Sequence, residues 1–233
     1  MRRLALALAL ALPGAAEAAC RQALAIGLDV SGSVDAEEYR LQLGGLAGAL
    51  ASPEVIARLT EPGPEVRLMV YEWSGPAAQR VLLPWTALRT EADVLSAAAV
   101  LQATPRVGTA PTTALGTAMG WGAAALEPQD CWQRTLDLSG DGNNNTGPRP
   151  QDITVPEGIT VNALAIGGTA IASDQDMADI KQLTAYFRAY VIRGPDAFVE
   201  AALGWEDFEE AMRRKLLREL KALAIGALET APG

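Results

Sequence analysis

The chain contains no histidine, and this absence excludes several kinds of functional site. Histidine is the usual general base of hydrolytic triads and a frequent zinc ligand, so His-based triads and most zinc sites are ruled out. A nucleophile motif of the form G-x-S-x-G is also missing. The sequence therefore does not predict a hydrolase of the common types.

Positive charge and aromatic residues are scarce as well. The 233 residues include 19 Lys and Arg against 28 Asp and Glu, which gives a formal net charge of −9. Because such a chain is repelled by phosphate backbones, we expect no binding to nucleic acid. Aromatic residues make up 5% of the chain but hydrophobic residues 49%, enough for a buried aliphatic core. The length suits one α/β domain with an appendage.

The N-terminal residues have the pattern of an export signal. Two arginines precede an apolar run at 4–12, and the AEA sequence at 16–18 matches an A-x-A cleavage site. The run is too short for an ordinary membrane-spanning helix, and no later stretch of the sequence is long and uncharged enough to form one. We therefore expect residues 1–18 to be a signal peptide, and the mature protein to be periplasmic or secreted without a transmembrane segment. A retained interfacial anchor and a lipid-modified Cys20 are the alternatives.

Short β-rich runs alternate with Ala- and Leu-rich stretches of helical spacing. This alternation predicts a doubly wound α/β fold, with a mostly parallel central sheet and helices on both faces. A short turn at 74–76 joins the second and third strands, which favours an antiparallel hairpin at the sheet edge. The predicted strands are 24–30, 66–73, 79–83, 134–138, 159–166 and 189–192, and the predicted helices are 36–59 with a break at 52–53, 91–103, 113–126, 174–187 and 205–223.

The last predicted helix is charged and amphipathic. It begins a C-terminal region, residues 204–233, that follows a domain predicted at 20–203. One face of the helix carries four large apolar residues, which we expect to pack against the domain: Phe208, Met212, Leu216 and Leu220. An exposed helix that binds a partner is the alternative.

Two strand ends carry unusual polar clusters. The first strand ends in Asp29-Val30-Ser31-Gly32-Ser33, and the fourth in Ser139-Gly140-Asp141-Gly142. The carboxyl ends of parallel strands lie at one edge of a sheet, where ligands bind. Carboxylate and hydroxyl oxygens suit magnesium, manganese or calcium. The alternative is that the first cluster only caps the next helix, with Ser33 as N-cap before Glu37. The first strand is not followed by G-x-G-x-x-G, which argues against a dinucleotide-binding domain.

With these motifs the chain resembles the von Willebrand factor A (vWA) family over about residues 22–203. In that family a strand ending in D-x-S-x-S, a Thr loop that opens a helix, and a later strand ending in D-G form a metal-ion-dependent adhesion site. The resemblance implies five metal ligands: Asp29, Ser31, Ser33, Thr113 and Asp141. Thr113 fits the family's pattern because Gly116 and Ala118 follow it at the expected spacing. Thr112 and Thr109 are the alternatives.

The resemblance also implies a function. One divalent cation, Mg²⁺ first and Ca²⁺ or Mn²⁺ as alternatives, keeps an open coordination position that an acidic side chain of a protein partner fills. The protein would then be a binding module and not an enzyme. The competing hypotheses are a structural module whose metal only stabilises the loops, and a metal-dependent hydrolase. For a hydrolase, Glu72 is the only additional acid near the same edge.

The two cysteines fit the same arrangement. Cys20 lies nine residues before Asp29, and Cys131 lies ten residues before Asp141. If the two strands run side by side, both thiols lie at the end of the sheet opposite the metal. An exported chain with only two cysteines favours a disulfide between them, with two unpaired thiols as the alternative.

Overall fold

The computed structural model describes residues 20–108, 110–168 and 174–229; the predicted signal peptide at 1–18 and Thr109 lie outside them. The described residues contain one six-stranded sheet. Its strands are β1 (Cys20–Asp29), β2 (Val66–Trp73), β3 (Gln79–Leu88), β4 (Cys131–Gly140), β5 (Ile159–Ile166) and β6 (Val199–Ala202). The spatial order is β3-β2-β1-β4-β5-β6. All neighbours are parallel except β2 and β3, so the antiparallel strand lies at the edge, as predicted.

Six α-helices cover the two faces of this sheet. They are α1 (Ala36–Ala51), α2 (Pro53–Leu59), α3 (Glu91–Gln102), α4 (Leu115–Leu126), α5 (Asp174–Tyr190) and α6 (Phe208–Glu229). The core on one face includes residues of α1, α2, α3 and α6, and the core on the other includes residues of α4 and α5. This confirms the predicted doubly wound α/β class. None of the described helices has the length and apolar character needed to cross a membrane.

The prediction of a strand at 189–192 is wrong. The first two of these residues complete α5, and the Val191 amide still donates to the carbonyl of Phe187 in a helical bond. Phe187 and Val191 are both buried, so the amphipathic face of α5 continues past its predicted end. After a turn at Gly194, where φ is +90°, the chain enters the sheet at Val199. The run 189–192 therefore spans the end of α5 and the turn that follows it.

The start of α1 is fixed by Asp35 and not by Ser33. The Asp35 carboxylate accepts hydrogen bonds from the Glu37 and Glu38 amides, and the Glu38 side chain accepts one from the Asp35 amide. This reciprocal pair is a capping box. The cap expected at Ser33 is therefore wrong, and the Ser33 hydroxyl is available to the loop that follows β1.

Close packing around the central strand positions α4. A Cβ atom on Gly27 of β1 would lie 2.6 Å from the Tyr71 hydroxyl, so only glycine fits beneath that ring. The same hydroxyl donates to the carbonyl of Ala118 at 2.9 Å. This contact ties the first turn of α4, and with it the Thr loop before the helix, to the middle of the sheet.

Helix α6 packs against the domain, as its apolar pattern predicted. Its four apolar residues are buried: Phe208, Met212, Leu216 and Leu220. The same side of the helix also buries Lys215, which is 0% exposed. Its ammonium pairs with Asp137 of β4, and with Glu219 at 2.7 Å. Glu219 also accepts a hydrogen bond of 2.7 Å from Asn162 of β5. We call Lys215, Asp137 and Glu219 the buried charge triad.

The predicted disulfide between Cys20 and Cys131 is present. The two residues are register partners at the start of β1 and β4, with their Cα atoms 4.5 Å apart. Because β1 and β4 run parallel, the disulfide lies at their amino ends. The polar loops that follow the same strands lie at the opposite end of the sheet.

Candidate metal site

The five residues implied as metal ligands form one continuous cluster at the carboxyl edge of the sheet. Three contacts link their side chains. Thr113 Oγ1 donates to Ser31 Oγ at 3.2 Å, Ser31 Oγ and Ser33 Oγ lie 3.4 Å apart, and Ser33 Oγ donates to Asp141 Oδ1 at 2.9 Å. Asp29 joins through its Oδ1, which accepts from the Ser31 amide at 2.8 Å. Two carboxylates and three hydroxyls from three separate loops thus converge.

Asp29 is, like Ser31, a fully buried member of the cluster. Its side chain is 0% exposed, and among the described residues no group donates a hydrogen bond to its Oδ2. Burial, and secondly the negative charge of Asp141, raise the pKa of Asp29 to about 8. A Cβ atom at Gly140 would lie 3.1 Å from the same Oδ2, so the neighbouring strand end stays close to it. A buried carboxylate oxygen without a donor is costly unless a cation or a proton compensates it.

Asp141 lies nearer the surface and is partly exposed. Burial raises the pKa of its carboxyl group, and the hydrogen bond from Ser33 offsets part of that effect. Ser33 is exposed, whereas Asp29 and Ser31 are buried. The cluster is therefore closed on the side of the sheet and open to solvent beside Ser33 and Asp141.

The sequence left three threonines as candidate metal ligands, and the structure distinguishes between two of them. Thr113 is buried, and its hydroxyl contacts Ser31. The Thr112 hydroxyl lies beside Gly75 instead, where it would be 3.1 Å from an added Cβ atom. Thr109 lies outside the described residues. Thr113 is therefore the threonine that the described structure brings to the cluster.

Sequence reasoning missed the residues that hold Thr113 in place. Asn145 Oδ1 accepts from the Thr113 amide at 2.8 Å, and the Asn145 backbone amide donates to the Thr113 carbonyl at 3.0 Å. Asn144 Oδ1 accepts from the Gly116 amide at 3.1 Å. The loop after β4 therefore clamps the start of α4. Asparagine side chains after a D-G turn are expected to form hydrogen bonds with nearby backbone groups. Nothing in the sequence indicates that Asn145 bonds to Thr113, which is 32 residues away.

The same clamp requires glycine at position 116. A Cβ atom there would overlap the carbonyl oxygen of Pro148, which is backbone and has little room to move. We expect Gly116→Ala to lower the free energy of unfolding by about 1–3 kcal/mol, since overpacking a tight contact forces backbone shifts. Urea unfolding would measure it. Gly44→Ala is the matched control, because a Cβ atom on that helical glycine has open space; an equal loss in both variants would contradict the clamp.

Glu72, the further acid considered for a hydrolase, is engaged elsewhere. It is buried, accepts from the Tyr39 hydroxyl at 3.0 Å and pairs with Arg80 at 2.7 Å. Within the part of the chain that the structure describes, no three Asp, Glu or Cys side chains come together in a group that could hold a metal ion. The cluster at the sheet edge thus combines only two carboxylates with hydroxyl groups.

The six-stranded sheet with polar loops at its carboxyl edge places the chain in the class of vWA-like folds, as comparison with solved structures indicates. Proximal thread matrix protein 1 from the mussel byssus matches with a TM-score of 0.54 at 18% identity, over 89% of this chain and 49% of that one. That protein was solved with a zinc-occupied MIDAS (metal-ion-dependent adhesion site) motif. A von Willebrand factor type A structure from Catenulispora acidiphila matches with a TM-score of 0.54 at 15% identity, over 86% of this chain and 43% of that one. The PilB minor pilin from Streptococcus sanguinis matches with a TM-score of 0.61 at 13% identity, over 93% of this chain and 64% of that one.

The chain itself belongs to the family described as protein of unknown function, DUF1194, whose family model matches residues 19–224. No curated protein matches it in sequence. At 13–18% identity the three solved structures show a shared fold only. The chain spans between 43% and 64% of their lengths.

Proposed function

We propose that this protein is an exported vWA-type binding module that holds one divalent cation at the carboxyl edge of its sheet and engages a protein partner through an acidic side chain. The cation would be held by Asp29, Ser31, Ser33, Thr113 and Asp141. The observation that carries the proposal is the buried Asp29 Oδ2, which accepts no hydrogen bond from the described residues and lies in a cluster with a second carboxylate. Two acidic groups and three hydroxyls in one place are a poor arrangement for an anion and a suitable one for a cation.

The chemistry of these donors fits a hard cation. All are oxygen atoms, and carboxylate and hydroxyl oxygens are the ligands of Mg²⁺, Mn²⁺ and Ca²⁺. When bound, such a cation supplies an electrophilic centre that attracts a carboxylate of the partner. The three hydroxyls are neutral ligands, so the five side chains together carry at most two negative charges and leave no excess of negative charge around a bound divalent ion. We favour Mg²⁺, for which a small number of protein carboxylates is usual.

The residues around the cluster position its oxygens before any ligand arrives. The Ser31 amide orients Asp29, and Asn145 orients Thr113 from two sides of its peptide group. Ser33 and Asp141 lie at the open side, where a partner has access. Preorganised groups lose less conformational entropy on binding, which favours recognition.

The comparisons support a binding role in the extracellular space. The mussel byssus protein was solved with a zinc-occupied MIDAS motif, and the streptococcal protein is a minor pilin. Together with the signal-peptide pattern at 1–18, this favours a periplasmic or secreted location. The absence of a nucleophile motif in the sequence, and the engagement of Glu72 by Tyr39 and Arg80, favour binding over hydrolysis.

We expect added divalent cation to stabilise the protein. A ligand that binds only the folded state contributes about 2.7 kcal/mol when its free concentration is 100 times Kd, which raises Tm by roughly 5–10 °C in a chain of this size. Thermal unfolding titrated with MgCl₂, MnCl₂ and CaCl₂ would measure the shift. Asp29→Asn should abolish it.

Asp130→Asn is the matched control, because this exposed aspartate lies next to Cys131 at the opposite end of the sheet. It should keep the full shift. In chelator, Asp29→Asn should be at least as stable as the parent protein, since the substitution removes the cost of burying a carboxylate. A shift of equal size in Asp29→Asn would place the cation elsewhere and refute the proposed ligands.

The partner is tested by retention on the immobilised protein. An extract of the cells that produce it, applied in the stabilising cation, should leave a bound protein that chelator releases. That protein should be retained by Asp130→Asn but not by Asp29→Asn or Asp141→Ala. A complex that survives both chelator and these substitutions would refute the adhesion mechanism. Stabilisation by metal without metal-dependent retention would favour the structural module.

A further inference from the structure

Two loops at the carboxyl edge of the sheet carry different candidate ligands of the metal site. The loop after β4 carries Asp141, and the loop before α4 carries Thr113. The side chains of these two residues are linked only indirectly, through the hydroxyls of Ser31 and Ser33. A direct connection between the loops is made by Asn145, which belongs to the same loop as Asp141. The position of one candidate ligand therefore depends on a residue of the loop that carries another.

Asn145 contacts all three polar groups of Thr113. Its Oδ1 accepts from the Thr113 amide at 2.8 Å, its backbone amide donates to the Thr113 carbonyl at 3.0 Å, and its Nδ2 donates a long hydrogen bond of 3.5 Å to Thr113 Oγ1. An asparagine side chain offers an acceptor and a donor on one planar group. An aspartate here would present a second acceptor to the Thr113 hydroxyl and would compete with Ser31 for its proton. Asparagine thus suits a threonine whose backbone and hydroxyl are both held.

The hydrogen bonds of the Thr113 hydroxyl leave one position for a further partner. A hydroxyl group has one proton and two lone pairs. The proton is donated to Ser31 Oγ at 3.2 Å, and one lone pair accepts from Asn145 Nδ2. The second lone pair has no donor among the described residues. It is the one that a cation can use, so Asn145 contributes to the orientation of the hydroxyl as well as to its position.

The neighbouring asparagine joins the same two loops without contacting a candidate ligand. Asn144 Oδ1 accepts from the Gly116 amide at 3.1 Å, and the Asn144 amide donates to the Tyr186 hydroxyl of α5 at 3.3 Å. Gly116 lies in the first turn of α4, whose N-cap residue, Ala114, has no side-chain cap. The first amides of a helix need partners from outside it. Asn144 therefore serves as a helix cap, whereas the contacts of Asn145 are made with Thr113.

We propose that Asn145 is a positioning residue of the metal site, which acts through Thr113 and couples the cation to the contact between the two loops. The inference rests on the proposed function, since it requires that Asp141 and Thr113 hold the cation. Loss of a residue that orients a metal ligand typically lowers metal affinity about 10–100-fold. Coupling between two equilibria is reciprocal. The bound cation therefore stabilises the contact between Asn145 and Thr113 by the factor by which that contact tightens cation binding.

This coupling gives the cation a second role at the edge where a partner would bind. Asn143 and Asn145 are exposed, and they follow Asp141 in its loop at the open side of the cluster. A cation that tightens the contact with Thr113 also fixes this exposed loop. A partner would then depend on the cation for the coordination of its carboxylate and also for the shape of the surface beside it.

Isothermal titration calorimetry with MgCl₂, and separately with MnCl₂, tests the proposal on the chelator-treated full chain with its disulfide formed. We expect Asn145→Ala to raise the Kd of the cation about 10–100-fold. Because Asn145 is exposed, the substitution removes no buried apolar volume, and the variant should fold. Asn144→Ala is the matched control. It removes a hydrogen bond between the same two loops and should keep the Kd of the parent protein, because Gly116 is not a ligand.

A double-variant cycle shows whether Asn145 acts through Thr113. Thr113→Val removes the hydroxyl and should weaken cation binding by itself. Adding Asn145→Ala to that variant should weaken binding little further, because the residue that Asn145 positions no longer coordinates the cation. Additive effects of the two substitutions on the free energy of cation binding would show that Asn145 acts independently of Thr113, and would overturn the proposal.

Amide hydrogen exchange in the parent protein, followed by NMR, tests the reciprocal effect without any variant. In saturating MgCl₂ the exchange of the Asn145 amide should slow by about the factor by which Asn145→Ala raises the Kd of Mg²⁺. The Ile159 amide is the control, because it donates to the Pro156 carbonyl at the amino end of β5. Its exchange through local opening should not change.

Three results would overturn the proposal while the parent protein still binds the cation, and they would leave the proposed function standing. They are an unchanged Kd in Asn145→Ala, an equal weakening in Asn144→Ala, and an Asn145 amide that the cation does not protect. A parent protein that binds neither Mg²⁺ nor Mn²⁺ would instead refute the proposed ligands, and this inference with them.

Discussion

Replacing Lys215 with methionine is expected to lower the free energy of unfolding by about 3–5 kcal/mol, the usual cost of removing one partner of a buried ion pair. Lys215 is the only cation in the buried charge triad, where it pairs with Asp137 and Glu219. Methionine keeps most of the side-chain volume but leaves two acidic groups facing each other away from water. Urea unfolding monitored by circular dichroism would measure the loss.

The pH dependence of this loss distinguishes charge from packing. Burial, and secondly the charge of Asp137, raise the pKa of Glu219 to about 8, from 4.5 in the unfolded chain. The folded protein therefore binds more protons than the unfolded one between these values, so the contribution of Glu219 to stability falls as pH rises from about 4.5 to 8. Protonation of Glu219 relieves repulsion in Lys215→Met. The variant should accordingly be closer to the parent at pH 5 than at pH 8.

A triple variant provides the matched control. Combining Lys215→Met with Asp137→Leu and Glu219→Leu removes all three charges, and apolar replacement of a buried ion cluster is often neutral or stabilising. It should recover most of the stability lost in Lys215→Met. If the triple variant is no more stable than the single one, the loss comes from packing at Lys215, and the electrostatic explanation is wrong.

Reducing the disulfide is expected to lower the free energy of unfolding by about 4–5 kcal/mol. Cys20 and Cys131 are 111 residues apart in sequence, and in the chain-entropy model a cross-link over a loop of about 100 residues contributes about 4.7 kcal/mol by restricting the unfolded chain. The Tm in the presence and absence of dithiothreitol would measure the effect. The double variant Cys20→Ser, Cys131→Ser should match the reduced protein.

The control for this prediction is the double variant itself in dithiothreitol. Its Tm should not change, because no disulfide remains to be reduced. If reduction leaves the Tm of the parent protein unchanged, the disulfide contributes little to stability although it joins the two central strands, and the prediction is wrong. A larger loss, with unfolding at room temperature, would agree with the direction of the prediction but would require a contribution from the native state.

The sequence predicted the features that depend on local pattern. The runs at Val66–Trp73 and Ile159–Ile166 were predicted with their observed bounds because mostly apolar residues are bordered by turn residues. The disulfide followed from equal spacing: two cysteines at similar distances from two strand ends must meet if the strands are neighbours. The cluster of Asp29, Ser31 and Asp141 followed from the same rule, since the ends of parallel strands share one edge.

Features that depend on tertiary contacts could not be predicted in this way. The last strand was misplaced because Val191 and Ile192 have β propensity, whereas the helical hydrogen bond from the Val191 amide to Phe187 and the burial of Val191 decided the conformation. The clamp of Thr113 by Asn145 joins segments 32 residues apart and has no local signature. The burial of Lys215 could not be predicted either, because nothing in the helical pattern indicates that it pairs with Asp137 of a distant strand.

The position of the disulfide would have a mechanical consequence if the proposed module held a partner under tension. Asp29 ends β1 and Asp141 follows β4, and Cys20 and Cys131 begin the same two strands. A pull applied at the metal edge therefore runs along two adjacent parallel strands whose far ends are joined covalently. The hydrogen bonds that join these two strands to their outer neighbours, β2 and β5, are loaded in shear and share the force, instead of opening one after another. The tie at the far end prevents β1 from sliding past β4, so traction at one edge of the domain is resisted at the other.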